Sequence, residues 1–167
     1  AKQYKYEVTA PNFKSDSVNH DIGLVDMRER LERSKMLNGY ISESVLQSCA
    51  DLIESEEFRA FSILNSDAAL RIDTKDGTYL VALEYEVSDK IEARYYKKLK
   101  EYYDYSSVDA VFYVCGNTKI EKMIHKADTK IGDKLETKVF TCLLDSFQKE
   151  TNSFQFFNRK KSLLLLE

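Results

Sequence analysis

Apolar residues recur along this chain first with the strand period, then with the helical one, and each change of period marks the edge of an element. Residues 3–8 alternate enough for a short strand. Val18, Ile22, Val25 and Leu31 mark the apolar side of a helix predicted over about 18–36, with Arg28, Glu29, Arg30, Glu32 and Arg33 on its solvated side. Ser15, Asp16 and Ser17 offer its N-cap and Asn38-Gly39 its stop. A strand over 40–46 and an acidic helix over 51–59 are expected next.

The most regular alternation runs from Asn65 to Lys90 and is broken only by Asp76-Gly77, a strong two-residue hairpin turn. Centring the turn there pairs Asp73 with Leu80, Arg71 with Ala82, Ala69 with Glu84 and Asp67 with Glu86. Because strand side chains alternate, one face carries Asp67, Ala69, Arg71, Asp73, Ala82, Glu84 and Glu86. The other carries Ala68, Leu70, Ile72, Val81, Leu83, Tyr85 and Val87 and is core, which leaves the first face to line a cleft. Ser88-Asp89 then caps a helix to about Tyr103, with Ile91, Tyr95, Leu99 and Tyr102 as its apolar stripe and Lys90, Arg94, Lys97 and Glu101 beside it. The continuous apolar run 108–115 is a buried strand. A helix over 118–127, a strand over 138–144, a short helix over 145–150 and an edge strand over 153–157 complete the pattern. The order predicts an α/β protein with a mixed central sheet flanked by helices.

Size and composition narrow this picture. The 167 residues are read as a single domain, 43% hydrophobic and 32% charged, and the abrupt start suggests excision from a longer protein with neighbouring domains. The apolar run 163–166 is far too short to span a bilayer, so no membrane role and a cytoplasmic location are expected. Cys49, Cys115 and Cys142 lie far apart with no CxxC spacing, which suits small buried hydrophobes in a reducing compartment rather than a disulfide or zinc framework. The net charge of −3 weighs mildly against a nucleic-acid binder but leaves room for one whose charges are segregated or supplemented by a metal.

The candidate chemistry sits on the hairpin. Asp67 across from Glu86, with Glu84 two residues away, gathers three carboxylates that repel unless a cation neutralises them. Magnesium or manganese does so with carboxylate oxygens and waters, and can activate a bound water for attack on phosphorus. Lys90 stands where it would orient that water, and Arg94 and Lys97 where they would grip substrate phosphate. The competing reading of the same residues is a solvated ion-pair network beside a sheet. His20 is read as a proton shuttle, a phosphate contact or an ordinary helix-surface residue. The tyrosines clustered from Tyr95 to Tyr105 either stack on bases or pack in the core. No Gly-rich phosphate loop, Ser-His-Asp set or HExxH motif is present.

The Asn65-Ser66-Asp67-Ala68 strand, the Glu84-Tyr85-Glu86 strand and the helix that follows resemble the PD-(D/E)XK nuclease superfamily. Within it the chain is similar to the replication-relaxation family of plasmid and mobile-element proteins. The residues that carry this second likeness are the His20-led helix to Arg28, Asp67-Ala68, the acidic strand, and the Arg94–Tyr102 segment rich in lysine and tyrosine. The resemblance implies a restriction-endonuclease-like core and a magnesium-dependent nuclease acting on DNA in plasmid or mobile-element replication. Asp67 would then be the metal aspartate and Glu84 the second metal carboxylate. Glu86 stands in the place of the usual lysine and Ser66 in that of the superfamily's proline, and Lys90 is the candidate for a migrated lysine. The alternatives are a catalytically silent DNA- or protein-binding module with the same fold, and a structural interaction domain that forms a homodimer.

Overall fold

Hydrogen bonding at the hairpin tip differs from the expected turn by one residue, and that difference organises the rest. The computed structural model describes residues 18–132, 136–149 and 153–167; the strand expected at 3–8 and the cap residues Ser15 to Ser17 lie outside them. The helix α1 (Val18–Leu31) leads into β1 (Leu37–Ser42), followed by three short helices, α2 (Glu43–Ser48), α3 (Ala50–Glu54) and α4 (Arg59–Ile63). Then come β2 (Ala68–Thr74), β3 (Gly77–Glu86), α5 (Glu92–Asp104), β4 (Ala110–Cys115), α6 (Thr118–Ile131), β5 (Val139–Leu143), α7 (Leu144–Lys149), β6 (Phe154–Phe157) and β7 (Leu163–Leu166). The strands form one seven-stranded mixed sheet in sequence order. Strands β1 to β3 form an antiparallel meander, β3 to β5 run parallel, and β6 and β7 return antiparallel. The sheet curls until the Glu167 carbonyl accepts hydrogen bonds from Met36 N (3.2 Å) and Ser34 Oγ (2.8 Å) at the start of β1. Among the described residues no helix is long and apolar enough to cross a membrane.

Thr74 pairs with Gly77, so the turn residues are Lys75 and Asp76 rather than Asp76 and Gly77. Ala69 therefore faces Ala82 and Ala68 faces Leu83, a two-residue displacement along β3 from the expected pairing. A shift of two leaves every side chain on its expected face, since a shift of one is what turns a strand over. Both faces are nonetheless covered. Leu70, Ile72, Val81, Leu83, Phe112 and Val114 pack against Met27 and Leu31 of α1 and Phe147 of α7, with Phe112 stacked on Phe156 at 4.4 Å. On the face expected to be open, Ala69 and Ala82 are buried beneath Tyr95, Leu99 and Tyr102 of α5 and Phe61 of α4. The small side chains let these helices sit close to the sheet. Arg71 pairs with Glu57, and Asp73 accepts from Asn38 (2.8 Å) and Thr78 (2.7 Å), so the tip end of that face is tied off. Its other end, at Asp67, Glu84 and Glu86, lines a cleft.

Several elements depart from the pattern for identifiable reasons. In α1 the buried side is Leu24, Met27 and Leu31, whereas Val18, Ile22 and Val25 are 71, 62 and 58% exposed. The helix is set by its docking on Tyr85, beside which Gly23 lies so closely that a methyl group there would meet the ring at 2.3 Å. Asn38-Gly39 does not stop a helix but falls within β1, at an irregularity in its register. Ser88 and Asp89 do not cap α5, whose N-cap is Ile91; Asp89 pairs with Lys119 instead. The expected edge strand β6 has neighbours on both sides, because the apolar run 163–166 forms β7. Where the expectation and the structure coincide, the local signal is strong: all six residues of β4 are buried, and the Asn117 side chain caps α6 by accepting from Lys119 and Ile120 N, each at 3.0 Å.

Candidate functional site

The tripeptide Asn65-Ser66-Asp67, between α4 and β2, is anchored residue by residue. Asn65 takes a left-handed backbone conformation (φ 49°) that turns the chain out of α4. Ser66 N donates to the Phe61 carbonyl (3.0 Å) and its buried hydroxyl meets the Tyr102 hydroxyl at 2.7 Å. Proline could make neither bond, which gives the serine a local reason to stand there. Asp67 Oδ2 accepts the Tyr85 N–H at 2.6 Å, locking the carboxylate across the hairpin, while its carbonyl accepts from Glu43 N at 2.9 Å.

Glu84 is buried, only 6% exposed, as is Glu86. Its Oε2 accepts from Lys98 Nζ at 2.5 Å and its Oε1 from the Tyr102 hydroxyl. Burial, reinforced by nearby Asp67, pushes its carboxyl up to about 7 despite the opposing pull of Lys98 and Tyr102. Burial works against the Lys98 charge, but Glu84, with Asp67 and Glu43 beside it, outweighs burial and raises the ammonium above its ordinary range. Glu86 pairs with Lys90 and accepts from Ser88 Oγ at 3.3 Å. On the opposite wall, His20 Nε2 lies 3.0 Å from the Tyr85 carbonyl and 3.7 Å from Asp67 Oδ2. The nearby Asp67 carboxylate raises the imidazole above its usual value against the effect of burial.

These residues share one cleft of about 500 Å³, and Asp67, Glu84, Glu86, Lys90, Arg94 and Lys97 all line it. The hairpin and the first turns of α5 bring together every residue the pattern singled out. One detail of the expectation is corrected, and one residue is added to it. Asp67 does not stand across from Glu86; continuing the observed register sets it against Glu84. Lys90 reaches Glu86, and the cation on Glu84 is Lys98. Its signal was present: Lys98 sits three residues after Tyr95 and four before Tyr102, beside the buried stripe of α5. Arg94 and Lys97 are exposed and form no ion pair among the described residues.

No protein-family model, curated protein or solved structure matches this chain. The site must therefore be read from its own chemistry.

Among the described residues no group of three or more His, Cys, Asp or Glu is close enough to hold a metal ion. A magnesium ion, however, is commonly bound through one or two carboxylates, with water and substrate phosphate completing its shell. Asp67 and Glu84 would supply such a pair, in place of the expected set of three that included Glu86. The fit is chemical as well: a buried carboxylate beside a second acid is the kind of group that an added cation relieves.

Proposed function

We propose that this cleft is a magnesium- or manganese-dependent nuclease-like centre acting on DNA, in a protein of plasmid or mobile-element replication and maintenance. The observation that carries the reading is the charge layout of the cleft, with buried Glu84 beside half-buried Asp67 and, among the described residues, unpaired Arg94 and Lys97 on its rim. The acid-bearing β2–β3 hairpin, followed by α5 and the parallel strand β4, supports the restriction-endonuclease-like core that the sequence resemblance implies. Asp67 and Glu84 would hold the metal, which when bound would acidify a water and stabilise charge building on phosphorus. Tyr102 and Lys98 orient the two Glu84 oxygens, and the Tyr85 N–H orients Asp67. Arg94 and Lys97 bind phosphate, while His20, whose Nε2 donates to the Tyr85 carbonyl at 3.0 Å, holds that proton near the acid pair. Lys90 keeps Glu86 in place and so is a positioning residue.

The deciding experiment pairs plasmid nicking with proton release. Magnesium is expected to support cleavage by the wild type, and Glu84→Gln to lower it more than about a hundredfold with thermal unfolding preserved. Binding of magnesium at neutral pH should also release protons from the wild type but not from Glu84→Gln. Equal cleavage by the two proteins would overturn the proposal.

A second reading is favoured by one specific feature: Glu84 and Glu86 are already paired with Lys98 and Lys90. A catalytically silent DNA-binding module would need no metal for that reason. It predicts salt-sensitive DNA binding without metal-dependent turnover.

A further inference from the structure

Asp67 is a wall of two clefts, and the second differs from the first in kind. Beyond Asp67, on the side away from α5, lies a smaller cleft of about 280 Å³ between α1, the end of β1 and the start of α2. The cations Lys90, Arg94, Lys97 and Lys98 all line the main cleft. The smaller one has Asp21, Glu43 and Asp67, with Arg28 as its one cation. Burial and neighbouring Asp67 raise the Glu43 carboxyl, a sign of crowded negative charge. A phosphate would be repelled there. Its apolar wall is made by Leu24, Val25 and Tyr40, and the Arg28 guanidinium lies over the Tyr40 ring at 5.4 Å from its centre.

We infer that the smaller cleft receives one base of a single-stranded DNA substrate whose adjacent phosphate lies in the main cleft. The inference rests on the nuclease-like reading and adds strandedness to it. Bases stack readily on aromatic rings and on guanidinium planes. Carboxylates accept hydrogen bonds from base amino groups, so acids that exclude phosphate still suit a base edge. The volume is small beside the usual range for ligand pockets, which favours one base over a stacked pair. A base within a duplex would first have to leave its stack at a cost of about a few kcal/mol, whereas a single strand offers it freely.

Fluorescence anisotropy in metal-free buffer tests this with a short single strand, a duplex of the same sequence, and single strands each carrying one abasic sugar. Arg28→Ala should weaken the single strand about tenfold and leave the duplex unchanged. Val25→Asp, at an exposed position that adds an acid to the cleft, should act in the same selective way. One abasic position should cost the wild type about tenfold and cost Arg28→Ala nothing further. Lys97→Ala should weaken both forms alike. If Arg28→Ala and Val25→Asp weaken both forms equally, or neither, while Lys97→Ala still weakens both, the base subsite is wrong and the DNA reading stands. If the wild type binds neither form, the DNA reading fails and the subsite with it.

Discussion

Glu84 and Asp128 are both carboxylates taken out of water, yet the fold treats them in opposite ways. Asp128, on α6, is fully buried and saturated: it accepts from Tyr103 (2.6 Å) and Thr137 (2.8 Å) and pairs with buried Arg159 at 3.3 Å. Arg159 also donates to the carbonyls of Asp128 (2.6 Å) and Gly132 (2.7 Å), so the network ties the end of α6 to α5 and to the β6–β7 turn. Glu84 has one cation and one hydroxyl, and its remaining side opens on the cleft. A closed network of this sort holds elements together. An open one, with its carboxyl pushed up by incomplete compensation, is a place where another charge can bind.

The contrast is open to direct attack. The largest effect is expected from Asp128→Ala, which leaves the buried Arg159 charge without its counter-ion and should cost about 3–5 kcal/mol in urea unfolding. A loss below that of any Glu84 variant would remove the distinction between the two sites. Glu84→Gln should be a pH effect. A carboxyl raised in the folded state from 4.5 to about 7 contributes stability that is full at acid pH and is lost as pH climbs through that interval. The stability of Glu84→Gln relative to wild type should therefore increase from pH 4.5 to 8 by about 3 kcal/mol, read from unfolding curves at the two pH values. A constant gap would mean that the Glu84 carboxylate is not desolvated as described. The smallest expected change is Ser66→Ala, which removes the hydroxyl supporting Tyr102 and should cost about 1 kcal/mol. Its value as a probe is directional, since it should also alter the pH at which Glu84 titrates, whereas Asp128→Ala should not.

Much of this site was legible before any coordinates. The face assignment on β2 and β3 stands although the pairing differs by two residues, because parity survives an even shift. The run from Asp67 through Lys97 was legible as one cluster since its members lie on a hairpin and the helix directly after it. Lys98 was harder. Whether Lys90 or Lys98 meets Glu84 depends on where α5 crosses the sheet, and that crossing is set by Ala69 and Ala82 beneath Tyr95, Leu99 and Tyr102. The orientation of α1 was illegible for a similar reason. Val18, Ile22 and Val25 form as good an apolar stripe as Leu24, Met27 and Leu31, and only contact with Tyr85 and the sheet selects between them.

Local chemistry in the chain thus dictates the hairpin, α5, β4 and α6, which hairpin residues share a face, and that acids and bases gather between Asp67 and Lys98. These depend on backbone periodicity and turn geometry, which act over a few residues. Residues 43–46, expected as strand, instead begin α2, the expected helix 51–59 is broken between α3 and α4, and the run 163–166 becomes β7. The fold alone decides that Glu84 and Glu86 are both buried, that Lys98 attends the first and Lys90 the second, and that Asp67 divides two clefts of different character. Those outcomes depend on burial and on distances between residues far apart in sequence, which exist only once helices have docked on a sheet.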